Sequence, residues 1–515
     1  MNMQVSHYIL FLGILASSFT ACSDKAFTEI NTDPNRPSSV PTPSILVQAE
    51  KQLMDNIRSE SINLKAAQLF SQYYSQNIYT DQSRYDISTS FSDGYWSNAY
   101  KVLNNLTEII TINTNEATKS IATAGTAGSN VNQIAIARTL KAYVYHNLTD
   151  VFGDIPYESY GNKDTDFEAL QQEPANYTPR YATQEKIYVD LLNELKSAAD
   201  TLYKYRSDNT FGKSDIIYEG ANEKWFRFAN SLRLRLSNRM QGKNKALADQ
   251  HFKEALAQGV ISGNSENATF KYSVSSPNEA PLFRATVTAN RKDYAVSHVL
   301  INVLKGELGP IKNVDPRLSK YALPNASGQF IGQPYGLPLE AAGVNGPNDI
   351  SLPSAEVNAA NFPETLLEFS EVQFLISEHN NWDESAYRNG VKASLEKWNV
   401  AAADVEKYLN VLPKANKEQV LTQKYLALYT QGIESWSEIR RTGYPLFLVK
   451  KGDIVWNRIT DKGTVAYRFE PIFGTTIPNR LYYPIKEQTT NKANYQAALA
   501  KQGDDVLSTK IWWNK

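Results

Sequence analysis

A helical apolar period that keeps returning over long segments constrains this chain more than any other feature. Residues 94–112 place Trp96, Tyr100, Leu103, Leu106 and Ile110 on one stripe. Residues 131–149 repeat the pattern with Ile136, Leu140, Val144 and Leu148, and 184–203 with Ile187, Leu191, Leu195, Ala198 and Leu202. Residues 222–240 carry Trp225, Phe228, Leu232, Leu236 and Met240 in the same way. Spacings of three and four put such side chains on one helix face. A helix with one apolar stripe must bury it against a neighbour, so successive stripes predict paired, stacked helices. Thr183 reads as the N-cap of the third stripe, with Glu185 in its first turn.

Further helices are expected at 44–79 (two), 246–258, 364–381, 384–398, 402–411 and 417–440, with an irregular tail from Gly443. Between about 260 and 362 the period is lost and Gly, Pro, Asn and Ser are dense. That stretch reads as a loop-rich insertion with a few short strands. The expected fold is therefore mostly α: tetratricopeptide-like helix pairs in an α-α superhelix, interrupted by the insertion.

The N-terminal end is of another kind. Residues 8–16 form an apolar run too short to span a bilayer, followed by small residues and the single cysteine, Cys22. Phe19-Thr20-Ala21-Cys22 resembles a bacterial lipobox. This predicts a signal peptide over 1–21, lipidation at Cys22, a Pro-rich tether over 22–43 and one helical domain over 44–515. One cysteine forms neither an internal disulfide nor a thiolate metal site.

Charge and motif content narrow the function. Lys and Arg total 53 against 54 Asp and Glu, a net charge of -1. A nucleic-acid binder needs a basic excess, so none is expected. The five His have no zinc-site spacing, and the chain has no P-loop, G-x-S-x-G or dinucleotide fingerprint. None of these motif-bearing enzyme classes and no cofactor is expected, and a structural calcium ion stays possible though no motif supports one. A carboxylate-pair glycoside hydrolase is defined by distance in space, so it stays open as an alternative. Asp154 reads better as a cap beside Gly153 and Pro156 than as a catalytic acid.

The aromatic content points to binding. Tyr is the most abundant aromatic, with 30 copies against 20 Phe and 8 Trp. Tyr79, Asp81, Arg84 and Tyr85 lie in a polar run that continues no helical stripe. Phe283, Arg284, Arg291, Tyr294, Phe330 and Tyr335 form a second polar–aromatic set in the insertion. Ring faces cover the apolar face of a pyranose and neighbouring polar groups bond its hydroxyls. The expected ligand-binding residues are Tyr79, Asp81, Arg84, Tyr85, Arg291, Tyr294, Phe330 and Tyr335. An oligosaccharide suits them, and so does an extended peptide.

Six segments in order resemble one family. They are residues 30–37 (INTDPNRP), 150–157 (DVFGDIPY), Asp215-Ile-Ile-Tyr218 with 224–236 (KWFRFANSLRLRL), Asp315-Pro-Arg-Leu318, 431–445 (QGIESWSEIRRTGYP) and Arg480-Leu-Tyr-Tyr-Pro484. The chain resembles the SusD/RagB family of outer-membrane nutrient-binding lipoproteins of Bacteroidota. The resemblance implies no catalysis. It implies a lipid-anchored, surface-exposed protein that partners a SusC-like TonB-dependent transporter and passes it oligosaccharides or peptides. It also implies that Trp436, Arg440 and Arg441 brace the helical scaffold.

Overall fold

The apolar stripes become helices where the sequence lays them. The computed structural model describes residues 40–171 and 177–515. The expected signal peptide, Cys22 and nearly all of the tether lie outside the described residues. Numbering the helices of ten or more residues gives α1 (Thr42–Ile57), α2 (Asp93–Thr114), α3 (Asn130–Phe152), α4 (Gln184–Lys204), α5 (Asn222–Met240) and α6 (Lys245–Gln258). After the insertion come α7 (Phe369–His379), α8 (Glu384–Lys397), α9 (Ala402–Val411), α10 (Lys417–Ala427), α11 (Gly432–Thr442) and α12 (Lys492–Gln502). Consecutive helices pack on one another from α1 to α6, and α7 packs on both α8 and α10. The architecture is mostly helical, as expected. Thr183 caps α4 by accepting from the Lys186 amide. Among the described residues no helix is long and apolar enough to cross a membrane.

The strands are short and pair over long sequence distances. Strand β1 (Tyr74–Gln76) pairs antiparallel with β3 (Tyr294–Val296), and β2 (Ala268–Lys271) with β4 (Pro363–Leu367). A hairpin of β5 (Ile454–Thr460) and β6 (Gly463–Arg468) stands apart.

Five expected elements differ. Thr42 and Pro43 belong to the first turn of α1 and not to the tether. The second helix expected within 44–79 is a π-helical stretch, Glu60–Ala67, which runs into a short turn before β1. Residues 364–367 are strand, because β2 supplies a partner that a local pattern cannot reveal. The helix expected over 417–440 is two helices broken at 428–431. The break is hidden because residues 419–439 are buried on every face, which leaves the apolar period nothing to contrast with. The tail after Gly443 holds the β5–β6 hairpin and α12.

Helices α3 and α5 lie at the centre. Every residue of α3 from Asn132 to Phe152 is buried. Helix α5 carries Arg233, Arg235 and Arg239 inward, so acids must meet them. Arg235 forks onto Glu371 of α7 with two bonds of 2.7 Å, and donates to the Leu366 carbonyl at 2.9 Å. Arg239 donates to Asp150 of α3 at 2.9 Å and to Glu434 of α11. Asp150 also accepts from Trp513 Nε1 at 2.8 Å and from the Tyr188 hydroxyl. Burial alone raises the Glu434 carboxyl, but Arg239 and Arg235 outweigh it and hold the group below the usual range. Arg440 stacks on Trp436 at 3.7 Å and donates to the carbonyls of Asp150 and Asn479. Three of the segments that carry the family resemblance, 150–157, 224–236 and 431–445, meet here.

Removing one partner of a buried pair costs about 3–5 kcal/mol, because the other charge is left unpaired. Arg239→Met is therefore expected to lower the urea midpoint by that equivalent. An unchanged midpoint would show that Asp150 and Glu434 find other partners.

Candidate functional site

The three-residue pairing of β1 with β3 aligns Gln76 with Tyr294 and brings two distant loops side by side. The Asn77 amide extends the contact to the Asp293 carbonyl at 3.3 Å. Beyond this ladder the 78–82 loop and the 290–293 loop form the lips of an open groove of about 590 Å³. Tyr79, Asp81 and Gln82 line one lip, and Asn290, Arg291 and Lys292 the other. Tyr79 is 64% exposed and sits at φ 56. A non-glycine residue in the left-handed region carries a backbone cost, which the surrounding bonds must hold in place. Here Gln76 does so: its side-chain carbonyl accepts from the Ser83 amide at 3.1 Å and its amide donates to Gln82 at 3.0 Å.

The floor is a charge clamp. Arg291 chelates Asp293 through Nε at 3.1 Å and Nη2 at 2.7 Å, and its third bond goes to Glu60 of the π-helical stretch. Glu60 also accepts from the Tyr294 hydroxyl at 3.0 Å and pairs with Lys65. Burial pushes the Glu60 carboxyl up. Lys65, Tyr294 and Arg291 outweigh that and leave it below its ordinary value. Bonding to Asp293 raises the Arg291 guanidinium above its own. The clamp uses three N–H groups of Arg291 and leaves part of its fork free for a ligand.

The expected site residues divide. Tyr79, Asp81 and Arg291 are brought together in this groove. Tyr85, Tyr294 and Tyr335 are not ligand-facing: their exposures are 1%, 1% and 0%. Tyr85 follows the turn Gln82–Arg84 at φ 65, which packs its ring edge-on against Phe70 and Phe469. Tyr294 lies in β3, under the groove. Tyr335 donates to the Leu69 carbonyl at 2.8 Å. Arg84 lines no part of the groove, and its Nε donates to the Glu470 carbonyl at 3.3 Å. Phe330 is half-buried against the core, away from the groove lining. A polar sequence context marks a loop, but a tyrosine within it turns inward when a distant aromatic waits there. The sequence reading misses Lys65, Ile78, Asn290, Lys292 and Asp293. The run Asn290-Arg-Lys-Asp293 was a legible polar signal, whereas Lys65 gave none.

Asp154 is buried and accepts from the Gln184 amide at the start of α4, at 2.8 Å. It is a cap, as expected. Gly153 beside it sits at φ 88, where a Cβ would collide with the Gln502 side chain. Among the described residues no group of three or more His, Cys, Asp or Glu could hold a metal ion.

The family model described as "Starch-binding associating with outer membrane" (SusD-like_2) matches residues 34–470. No curated protein matches the chain. Among solved structures, a chitin-binding protein is 24% identical with a TM-score of 0.73, covering 92% of this chain and 100% of its own. A chitin-binding SusD homolog from Flavobacterium johnsoniae is 20% identical with a TM-score of 0.70, covering 91% and 98%. A SusD homolog from Parabacteroides distasonis is 21% identical with a TM-score of 0.75, covering 93% and 98%.

Two tyrosines of the same short loop are expected to behave oppositely. Tyr79→Ala should change stability by less than about 0.5 kcal/mol, as an exposed site does. Tyr85→Ala should cost about 3–5 kcal/mol by opening a cavity. Chemical denaturation of both variants checks this, and equal losses would place Tyr79 in the core. A second test concerns His298, whose Nδ1 accepts from the Tyr335 amide at 3.1 Å. Burial lowers its pKa from 6.5 to about 4. Unfolded chains then take the proton first, so stability falls as pH drops from about 6.5 to about 4. His298→Asn should keep the acceptor and flatten that slope in pH-dependent melts. An unchanged slope would mean the imidazole does not titrate between those limits.

Proposed function

Because the chain belongs to the SusD-like family, we propose that it is a surface lipoprotein, anchored through Cys22 in the outer membrane, that captures oligosaccharides for import through a SusC-like TonB-dependent transporter. The reading is of a binder and not an enzyme. The observation that carries it is the solvent-facing ring of Tyr79 beside the Arg291–Asp293 pair. A flat ring offers a platform for the C–H face of a sugar, and the clamp offers fixed donors to its hydroxyls. The family's starch-binding description and the chitin-binding description of two solved relatives support a glycan as the ligand. A catalytic pair would need two free acids facing one cleft. Asp81, Asp293 and Glu60 are the acids of the groove and its floor, and Asp293 and Glu60 are both bound up by Arg291.

The test is calorimetric titration of the soluble form from Ser23 with maltohexaose, chitohexaose and a peptide mixture, followed by product analysis. Saturable sugar binding without new products is expected, weakened at least tenfold at this groove in Tyr79→Ala. Binding of peptides alone would replace the ligand class. Released shorter sugars would overturn the non-enzyme reading.

A further inference from the structure

The segment Asp215-Ile-Ile-Tyr218 is one of those that carry the family resemblance, and the Tyr79 groove makes no use of it. Its acid meets another acid. Asp215 and Glu50 of α1 are both closed to solvent, and their side chains are in hydrogen-bond contact. Two acids in contact inside a core need either a cation beside them or a proton between them.

Among the described residues neither acid has a salt-bridge partner. The charged groups on the elements packed around them are engaged or turned outward. Lys51 of α1 is paired with Asp55, and Lys224 at the start of α5 donates to the Ser265 carbonyl. Lys65 of the π-helical stretch is paired with Glu60, and Lys271 of β2 lies 3.8 Å from Glu219. Lys213 in the preceding turn, and Lys101 and Glu108 of α2, are exposed. Tyr218 also faces Asp215, and its hydroxyl donates to the Glu266 carbonyl at 2.8 Å.

The distribution of donors shows which acid keeps the proton. Asp215 accepts four bonds. Oδ1 takes the amides of Ile217 at 3.0 Å and Tyr218 at 2.9 Å, and Oδ2 takes the Gly220 amide at 2.9 Å and Trp225 Nε1 at 2.6 Å. Four donors stabilise a negative charge. Glu50 accepts one bond, from the Ile216 amide to Oε2 at 2.8 Å, and its Oε1 has no partner. A protonated carboxyl is a donor as well as an acceptor, so a proton on Glu50 gives it the Asp215 carboxylate as a partner. Burial, and then the charge of Asp215, push the Glu50 carboxyl well above its ordinary value.

We propose that Glu50 is a neutral carboxylic acid in the folded protein and donates a hydrogen bond to the Asp215 carboxylate, so that one retained proton locks α1 to the turn leading into α5. The lock holds the helix that follows the expected tether to the centre of the fold. The unfolded chain releases this proton near the ordinary glutamate value of 4.5, whereas the folded chain keeps it. Above that pH the folded state binds the additional proton, so through this group the folding constant falls about tenfold for each unit of rising pH until the folded chain also releases it.

The experiment is urea unfolding of the soluble chain from Ser23 and of Glu50→Gln across the mildly acidic to neutral range. Gln keeps an acceptor for the Ile216 amide and a donor for Asp215 and does not titrate. Wild type is expected to lose folding constant relative to Glu50→Gln by about tenfold per pH unit. An infrared difference spectrum of the two at neutral pH should show the carbonyl band of a protonated carboxyl in wild type alone. Parallel pH dependences, or no such band, would overturn the lock. Failure of Glu50→Gln to fold would overturn it too, because an amide of that shape fits where a neutral acid does. Asp215→Asn turns an N–H toward groups that are themselves donors and should lower the urea midpoint sharply. A midpoint at or above wild type would put the proton on Asp215 and overturn the assignment.

Discussion

The buried pairing of Arg235 and Arg239 with acids from three other helices is the constraint on which the rest of the structure depends. Two guanidiniums inside a helical core must be neutralised, and their partners come from α3, α7 and α11. Such a network contributes less net stability than an apolar core of equal volume would. Its value is in geometry, because planar forks accept carboxylates in few orientations. By fixing how those helices pack, it sets the frame from which the groove loops emerge. It also contains residues of three segments that resemble the family: Asp150, Arg235 and Arg440 are each at a junction of the network.

The helices were legible because each carries an apolar stripe against a polar face. Legibility failed where that contrast vanished. Residues 417–440 are buried almost throughout, so the break at 428–431 left no mark on the pattern. It failed again where a partner lay far away, as for β4, whose mate is about a hundred residues earlier. The site was half legible for the same reason. Tyr79 and Arg291 stood out as aromatic and charged residues in polar runs. Tyr85 and Tyr335 had the same local context, and only the long-range approach of Phe469 settles that their rings turn inward.

At the Tyr79 groove the Arg291 fork is paired with Asp293 and Glu60 before a ligand arrives, so binding adds contacts without reorganising the clamp.

The two lips of the Tyr79 groove are joined by a ladder of only three residues on each side. Short ladders open locally at a lower free energy than the global core. The spacing of the lips is therefore set by a joint that breathes independently of the helices beneath it. A molecule lying across both lips would act as an additional rung, damping that opening and slowing hydrogen exchange at the Ser75 and Asn77 amides. Capture and tightening would then be one event, with the bound molecule serving as a structural member of the sheet it closes.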